Sequence, residues 1–525
     1  MLRALWGKLF DRSGGRLRLA LLVLLACVSV GVGVVSASQR GGSAAPPPVA
    51  RHAPARDSTR PNIVFVLTDD LSMNLLRFMP HVQELMRQGM TFNNYFVSDS
   101  LCCPSRASIF TGNFPHDTRI FGNFGRQGGF ALFHARGEEQ DTFNVALHRA
   151  GYETAMMGKY LNGYLERPQI PDTYVPPGWS EWDVAGWGYP EFNYLLNRNG
   201  SLFAYGNQPA DYLTDVIANR GLSFIDRATT DDRPFFLELA TFAPHQPATP
   251  APRDANRFPD LAAPHPPSWN LLPTNAPLWL ADHAPLTPMQ IAKIDRLFRL
   301  RAQSVQAVDE MIGRLQARLK DDGVADNTYI VFSSDNGFHT GEYRLMPGKM
   351  TAFDTDIKVP LVVAGPGVPP GTSTDAMSEN IDLAETFAAI GGTKFAGDGH
   401  SLLGVLSTGH AADWRNAILV EHHGTDVQGG DPDYQQPASG NPRSYEAMRT
   451  SDFLYVEYND GETEFYDVTR DPFELHNLAG RLTFTQLARL HEELSALEHC
   501  HGSTDCWDAT RIDRPVVQVR RRHHR

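Results

Sequence analysis

Pro61-Asn62-Ile63-Val64-Phe65-Val66-Leu67-Thr68-Asp69-Asp70 is the stretch that decides the architecture. Its apolar, β-branched run has no polar alternation, which is the pattern of a strand buried on both faces, as in parallel sheets. Two carboxylates follow at once. Similar strands are expected at Pro234–Ala240, Thr328–Ser334 and Val359–Ala364, with helical patterns between them at Asp141–Ala150 and from Pro288 to about Lys320. Alternating strands and helices predict an α/β domain, a mixed or parallel sheet covered by helices on both faces. After about residue 410 the texture changes. Short strands at Ala417–Glu421, Ser444–Thr450, Phe453–Glu457 and Glu464–Val468, then a helix near Thr483–Leu497, predict a smaller α+β C-terminal domain.

The 525 residues (58.2 kDa) equal about three to four domain lengths, or one large α/β domain plus a smaller one. With 42% hydrophobic and 20% charged residues, the chain can build a substantial core, and global disorder is excluded. A formal net charge of −13 speaks against a nucleic-acid partner. An anion would have to be met by a local concentration of Lys, Arg, His or metal.

The expected organisation is 1–37 as signal peptide or anchor, 38–60 as disordered spacer, 61–410 as catalytic domain, and 411–525 as the C-terminal subdomain with a basic tail. Lys8, Arg12, Arg16 and Arg18 precede the apolar stretch Leu19–Val35, and Val35-Ser36-Ala37 offers a cleavage site. A retained anchor, or a lipoprotein cut before Cys27, are the alternatives. The expected localisation is therefore secreted or cell-surface, with a membrane involved only if this segment is retained. In an exported chain Cys500 and Cys506 read as a small disulfide loop, with a metal site using His499 or His501 as the alternative.

Three of the predicted strands and their loops deliver polar groups at the carboxyl ends: Asp69-Asp70, Pro244-His245 and Asp335-Asn336. Ligands of open α/β sheets bind there. Each pair read singly is also ordinary turn chemistry. Read together they are hard oxygen donors suited to Ca²⁺ or Mg²⁺. In Leu101-Cys102-Cys103-Pro104-Ser105-Arg106, Pro104 can open a helix and leave Cys102 near its anion-favouring N-terminus, and Arg106 adds a forked donor for an oxyanion. A vicinal pair buried as small hydrophobes, or disulfide-bonded, explains the cysteines equally well.

Cys102-Cys103-Pro104-Ser105-Arg106 resembles the Cys-x-Pro-Ser-Arg signature of the type I, formylglycine-dependent sulfatases. Pro61-Asn62-Ile63-Val64, Asp69-Asp70, Gly158-Lys159-Tyr160, Ala243-Pro244-His245, Ser334-Asp335-Asn336-Gly337 and Lys358-Val359-Pro360-Leu361 are similar to further blocks of that family, in family order, from Pro61 to about Leu478. The Cys-Cys pair, His339-Thr340-Gly341-Glu342 and the terminal cysteines resemble the N-acetylglucosamine-6-sulfatase and extracellular heparan 6-sulfatase branch.

The resemblance implies an alkaline-phosphatase-like fold and an exported sulfuric ester hydrolase. Its formylglycine would derive from Cys102 through a formylglycine-generating enzyme, and its hydrate would be both nucleophile and metal ligand. Asp69, Asp70, Asp335 and Asn336 would hold Ca²⁺, with Mg²⁺ as the alternative. Arg106 would stabilise the hydrated aldehyde, and Lys159, His245 and Lys349 would contact sulfate or protonate the leaving oxygen. The substrate would be a sulfated carbohydrate or an aryl sulfate. The chain departs from many sulfatases by carrying Leu161 where they carry a His, and His339 is read either as lining the pocket or as a structural hydrogen-bonding group. Two rival readings are a phosphodiester or phosphonate monoester hydrolase of the same superfamily, and a non-catalytic binder of sulfated glycans. Trp179, Trp182 and Trp187 are candidates to stack on sugar rings or to pack within a long loop.

Overall fold

The computed structural model describes residues 59–165, 170–410, 412–424 and 431–512. The 1–37 signal or anchor, the spacer up to residue 58 and the basic tail after 512 lie outside the described residues. No described helix is long and apolar enough to cross a membrane.

The strand Asn62–Thr68 runs through the middle of a 10-stranded sheet. It pairs in parallel with Phe235–Ala240 on one side and Thr328–Ser334 on the other. Glu153–Lys159 and Glu181–Ala185 extend the parallel block, and Leu361–Ala364 joins antiparallel beside Thr328–Ser334, so the sheet is mixed. The unbroken apolar run has the expected cause. Ile63, Phe65 and Leu67 enter one hydrophobic cluster, while Val64 and Val66 enter another on the opposite face. All five are fully buried, worth on the order of 10 kcal/mol at ~2 kcal/mol each. That burial fixes the strand, and with it the position of the carboxylates that follow.

Helices cover both faces. Leu213–Thr230 and the 34-residue Pro288–Asp321 helix pack on the Val64/Val66 side. The long helix opens with Thr287 as N-cap, in a capping box with Gln290. Cys102–Thr111, Phe143–Arg149 and Asp382–Ile390 pack on the Phe65 side.

The stretch 153–204, where the sequence reading placed no strand, carries four. Glu153–Lys159 is a central strand whose Met, Ala and Gly content carries little β-propensity; burial between two parallel neighbours decides it. Glu181–Ala185, Leu195–Arg198 and Ser201–Ala204 continue the sheet to its edge. The Pro-rich 245–285 region is ordered, with one helical turn at Leu278–Ala281.

C-terminally, Ala417–His422, Tyr445–Thr450, Phe453–Tyr458 and Thr463–Asp467 form a four-stranded antiparallel sheet. One face, with Ile418, Val420, Ala447 and Leu454, packs into the main cluster, and the other meets the helix Phe484–Glu498. The described residues form one compact unit. Cys500 and Cys506 are disulfide-bonded, whereas Cys102 and Cys103 are free and buried.

Candidate active site

The carboxyl ends of the central strands converge as the sheet topology requires. Asp335 N donates to Thr68 O (3.0 Å), and Asp70 N donates back to Asp335 Oδ1 (3.1 Å), which locks the two strand ends together. Asp70 takes a left-handed backbone (φ 63°), turning the chain so that both carboxylates face the same point. Gly158 sits at φ 103°, and a Cβ there would lie 1.9 Å from Ala240 O. Only glycine lets the strand pass that close and deliver Lys159 at its tip. The helix at the signature begins at Cys102 itself, two residues before the expected Pro104 opening. Pro104 occupies the first turn, where its missing N–H costs nothing.

Cys102 Sγ lies 3.1 Å from Asp69 Oδ1 and 3.9 Å from Asp70 Oδ1. Lys349 Nζ reaches Cys102 Sγ at 2.9 Å and Asp70 Oδ1 at 2.5 Å. Lys159 Nζ pairs with Asp69 Oδ2 at 2.6 Å. Arg106 donates from Nε to Asp335 Oδ2 (2.8 Å) and from Nη1 to Lys159 O (2.9 Å), leaving Nη2 buried without a partner. His245 Nε2 stands 3.6 Å from Asp70 Oδ2, and its Nδ1 is 2.7 Å from Gln246 O. Asn336 Nδ2 donates to Asp70 Oδ1 (2.8 Å). Every residue expected at the site is thus in one cluster, and each is no more than 3% exposed.

Burial raises the Asp69 carboxyl, with Lys159 opposing it. Burial also acts to raise Asp335, but Arg106, Lys159 and Lys349 outweigh it and hold that carboxyl at about 2. Burial would lower His245, yet Asp433, Asp70 and Asp69 raise it to about 9, so its ring is a cation near neutrality. Burial raises the Cys102 thiol well above its usual range, and Asp335, Asp433 and Asp69 add to the effect. An unmodified thiol here is a poor nucleophile.

The donor set suits a hard divalent cation. Three carboxylates and an amide converge, and Asn336 Oδ1 is buried with no hydrogen-bond partner. Ligand atoms of Asp69, Asp70, Cys102 and His245 lie within 4.8 Å of one another. An oxygen-rich group of this kind fits Ca²⁺ or Mg²⁺.

The sulfatase family profile matches residues 61–393, and that of the C-terminal domain of N-sulphoglucosamine sulphohydrolase matches 341–500. The chain belongs to the sulfatase family. It is an enzyme of the sulfuric ester hydrolase class. The N-acetylglucosamine-6-sulfatase of Capra hircus is 36% identical over 483 residues, 86% of this chain and 85% of its own. The extracellular sulfatase SULF-1 homolog of Drosophila melanogaster is 34% identical over 377 residues, 70% of this chain and 33% of its own. Among solved structures, one in complex with its substrate D-glucosamine-2-N,6-O-disulfate superposes with a TM-score of 0.67 at 25% identity, covering 84% of this chain and 97% of that one.

For this sulfatase the geometry chooses between readings that the sequence left open. His339 takes the structural role: it is fully buried, with Nδ1 3.0 Å from both Asp356 oxygens and Nε2 3.0 Å from Ser439 O. Trp182 is a core residue whose Nε1 donates to Tyr164 Oη (2.7 Å), and Trp179 packs in the same aromatic cluster. Trp187 is exposed and meets Tyr189 edge-on; the Tyr189 ring lies 4.6 Å from that of His245. Leu161 is buried in the core.

The sequence reading missed two residues of this sulfatase's site. Arg301 donates to the carbonyls of Asp70 and Pro244 and lies over Phe338 (4.1 Å), bracing the turns that carry Asp70 and His245. Its signal was available: Ile294, Phe298, Arg301 and Val305 share the apolar stripe of the long helix, where a guanidinium is out of place. Asp433 contacts both His245 and Lys349. It sits in Asp431-Pro432-Asp433, which reads as an ordinary turn, so no signal marked it.

Proposed function

We propose that this sulfatase is an exported, formylglycine-dependent hydrolase of sulfate monoesters on sugars, with 6-O-sulfated glucosamine as the substrate class. The observation that carries the reading is the packing of opposite charges around Cys102: Asp69, Asp70, Asp335 and Asn336 lie against Lys159, His245 and Lys349. A sulfate ester resists attack because nucleophile and sulfuryl group are both anionic. A divalent cation and an aldehyde hydrate at position 102 would supply, respectively, charge neutralisation and the nucleophilic oxygen.

The chain's own groups do the rest. Lys159 and Lys349 are held cationic by the carboxylates beside them, and their fixed ammonium groups offset charge on the sulfuryl oxygens without reorganisation. His245 carries a proton at Nε2 for the leaving alcohol oxygen. Arg106 and Arg301 orient Asp335 and the Asp70 turn. Relatives named as glucosamine-6-sulfatases and a structural neighbour holding a 6-O-sulfated glucosamine support the substrate class. The basic, then apolar N-terminus and the extracellular relative support export.

The test is turnover by the protein from its native host on 6-O-sulfated N-acetylglucosamine, an aryl sulfate and an aryl phosphonate, with mass analysis of the peptide ending at Arg106. Sulfate release with an aldehyde or its hydrate at position 102 supports the reading. An intact thiol, or turnover confined to the phosphonate, overturns it.

A further inference from the structure

Asp433 is a fully enclosed carboxylate, 1% exposed, that belongs to no recognised motif. Its Oδ1 is 2.5 Å from His245 Nε2 and 2.7 Å from Lys349 Nζ. Its Oδ2 accepts from Asn123 Nδ2 (2.7 Å) and Asn162 Nδ2 (3.2 Å). Two cations and two amides, from four separate segments, thus converge on a single anion. A sulfuryl group needs the same kind of ring, and Lys349 places this one directly beside Cys102.

Access supplies a second observation. Cys102 and Lys349 have no exposed surface. The cavity beside them, lined by Leu101, Asn123, Met350, His422, Asp431 and Asp433 among others, measures about 20 Å³. That is room for about one water, whereas sites for sugar-sized ligands run to roughly 300 Å³ or more. Asp433 lines that cavity and also bonds to Lys349, so among the described residues its carboxylate stands between the cavity and the lysine.

The turn that carries Asp433 is braced from within: Asp433 N donates to Asp431 Oδ1 (2.8 Å), Tyr434 N to Asp431 O (3.1 Å) and Gln435 Nε2 to Asp433 O (3.1 Å). From Pro437 the chain is tied to the body, with Met346 N donating to Ala438 O (2.7 Å) and His339 Nε2 bonded to Ser439 O (3.0 Å). Apart from its side-chain bonds to the site, the turn is held by its own backbone, and its boundary with the anchored segment at Pro437 is where a hinge would lie.

We propose, on the basis that Cys102 marks a sulfate-ester site, that Asp433 is an internal anion latch. Substrate enters by taking His245 and Lys349 from the Asp433 carboxylate, and the Asp431–Gln435 turn swings outward. A carboxylate and a sulfate cannot share these donors, because each donor hydrogen is already used and the two anions repel. Affinity for an anion is then reduced by the fraction of molecules that are open.

Inorganic sulfate added to the matured holoenzyme tests this without any need for turnover. The readouts are hydrogen exchange across residues 431–436 and the sulfate dissociation constant, for wild type and for the isosteric Asp433→Asn, whose fold is verified by its melting curve. Sulfate is expected to raise exchange in the wild-type turn severalfold, and Asp433→Asn to bind sulfate about tenfold more tightly. Sulfate binding by Asp433→Asn alone also supports the latch. Binding by both proteins, tighter in Asp433→Asn, with wild-type exchange unchanged at saturating sulfate would mean simple charge repulsion and overturns displacement. Unchanged affinity with a reduced kcat would make Asp433 a fixed positioning residue, and absence of sulfate binding in both proteins removes the anion ring. Failure of the sulfate-ester reading is recognised separately, by lack of ester turnover in the wild type.

Discussion

Lys349 Nζ stands between Cys102 and Asp70, 2.9 Å from Sγ and 2.5 Å from Oδ1, with no surface exposed to water. One ammonium therefore links the nucleophile position to the oxygen cluster. A charge buried there survives only because Asp70 and Asp433 face it.

Replacing that lysine should damage both chemistry and stability. Lys349→Ala is expected to lower kcat/KM by about 10²–10³, the usual cost of removing one preorganised charge donor. It should also lower the melting temperature, since two carboxylates lose their partner. Lys349→Arg should restore stability better than rate, because a fork cannot reproduce the point contact with position 102. Steady-state kinetics beside calorimetric melts check this.

The adjacent cysteines should separate cleanly. Cys102→Ala is expected to abolish turnover while keeping a cooperative melt. Cys103, whose side chain lies in the hydrophobic core, should tolerate Ala at a cost of about 1–2 kcal/mol with activity retained. Equal loss of activity in both variants would contradict the assignment of position 102.

Chelation should act on fold and rate together. If Asp69, Asp70, Asp335 and Asn336 hold a divalent cation as proposed, a concentration 100-fold above Kd adds about 2.7 kcal/mol of stability. Chelator should lower the melting temperature, and added Ca²⁺ or Mg²⁺ should restore it. Asn336→Ala should shift the restoring concentration upward, because it removes a buried oxygen that has no hydrogen-bond partner.

A pH effect is expected far from the chemistry. His116 Nδ1 pairs with Glu421 Oε2 at 2.9 Å and its Nε2 with Cys500 O at 2.8 Å. Burial would lower this imidazole, but the bond to Glu421 outweighs it and raises the pKa to about 9 from 6.5. The folded value lies above the unfolded one. The stabilisation, on the order of 3 kcal/mol, is therefore fully present below about pH 6.5 and is lost as pH rises through about 9. The gap in melting temperature between wild type and His116→Asn should narrow across that range.

What the sequence determined by itself was the frame and the chemistry-bearing tips. A strand such as Asn62–Thr68, buried on both faces, must be apolar throughout, so it announces itself, as do Thr328–Ser334 and the capped helix from Pro288. Turn residues after such strands face a sheet edge where ligands gather, which brought Asp69, Asp70, His245, Asp335 and Asn336 into view; the segment around Pro104 marked Cys102 and Arg106 beside an equal packing reading, and resemblance gave those two their roles and added Lys159 and Lys349. Tertiary structure alone decided the rest. Glu153–Lys159 is a strand because its neighbours bury it, not because Met, Ala and Gly prefer extension. His339 is a structural group because Asp356 and Ser439 happen to flank it. Asp433 and His245 meet across 188 positions of chain, and nothing local to either foretells the contact. Local pattern records what a segment buries; it carries no record of which distant charge will arrive to compensate it.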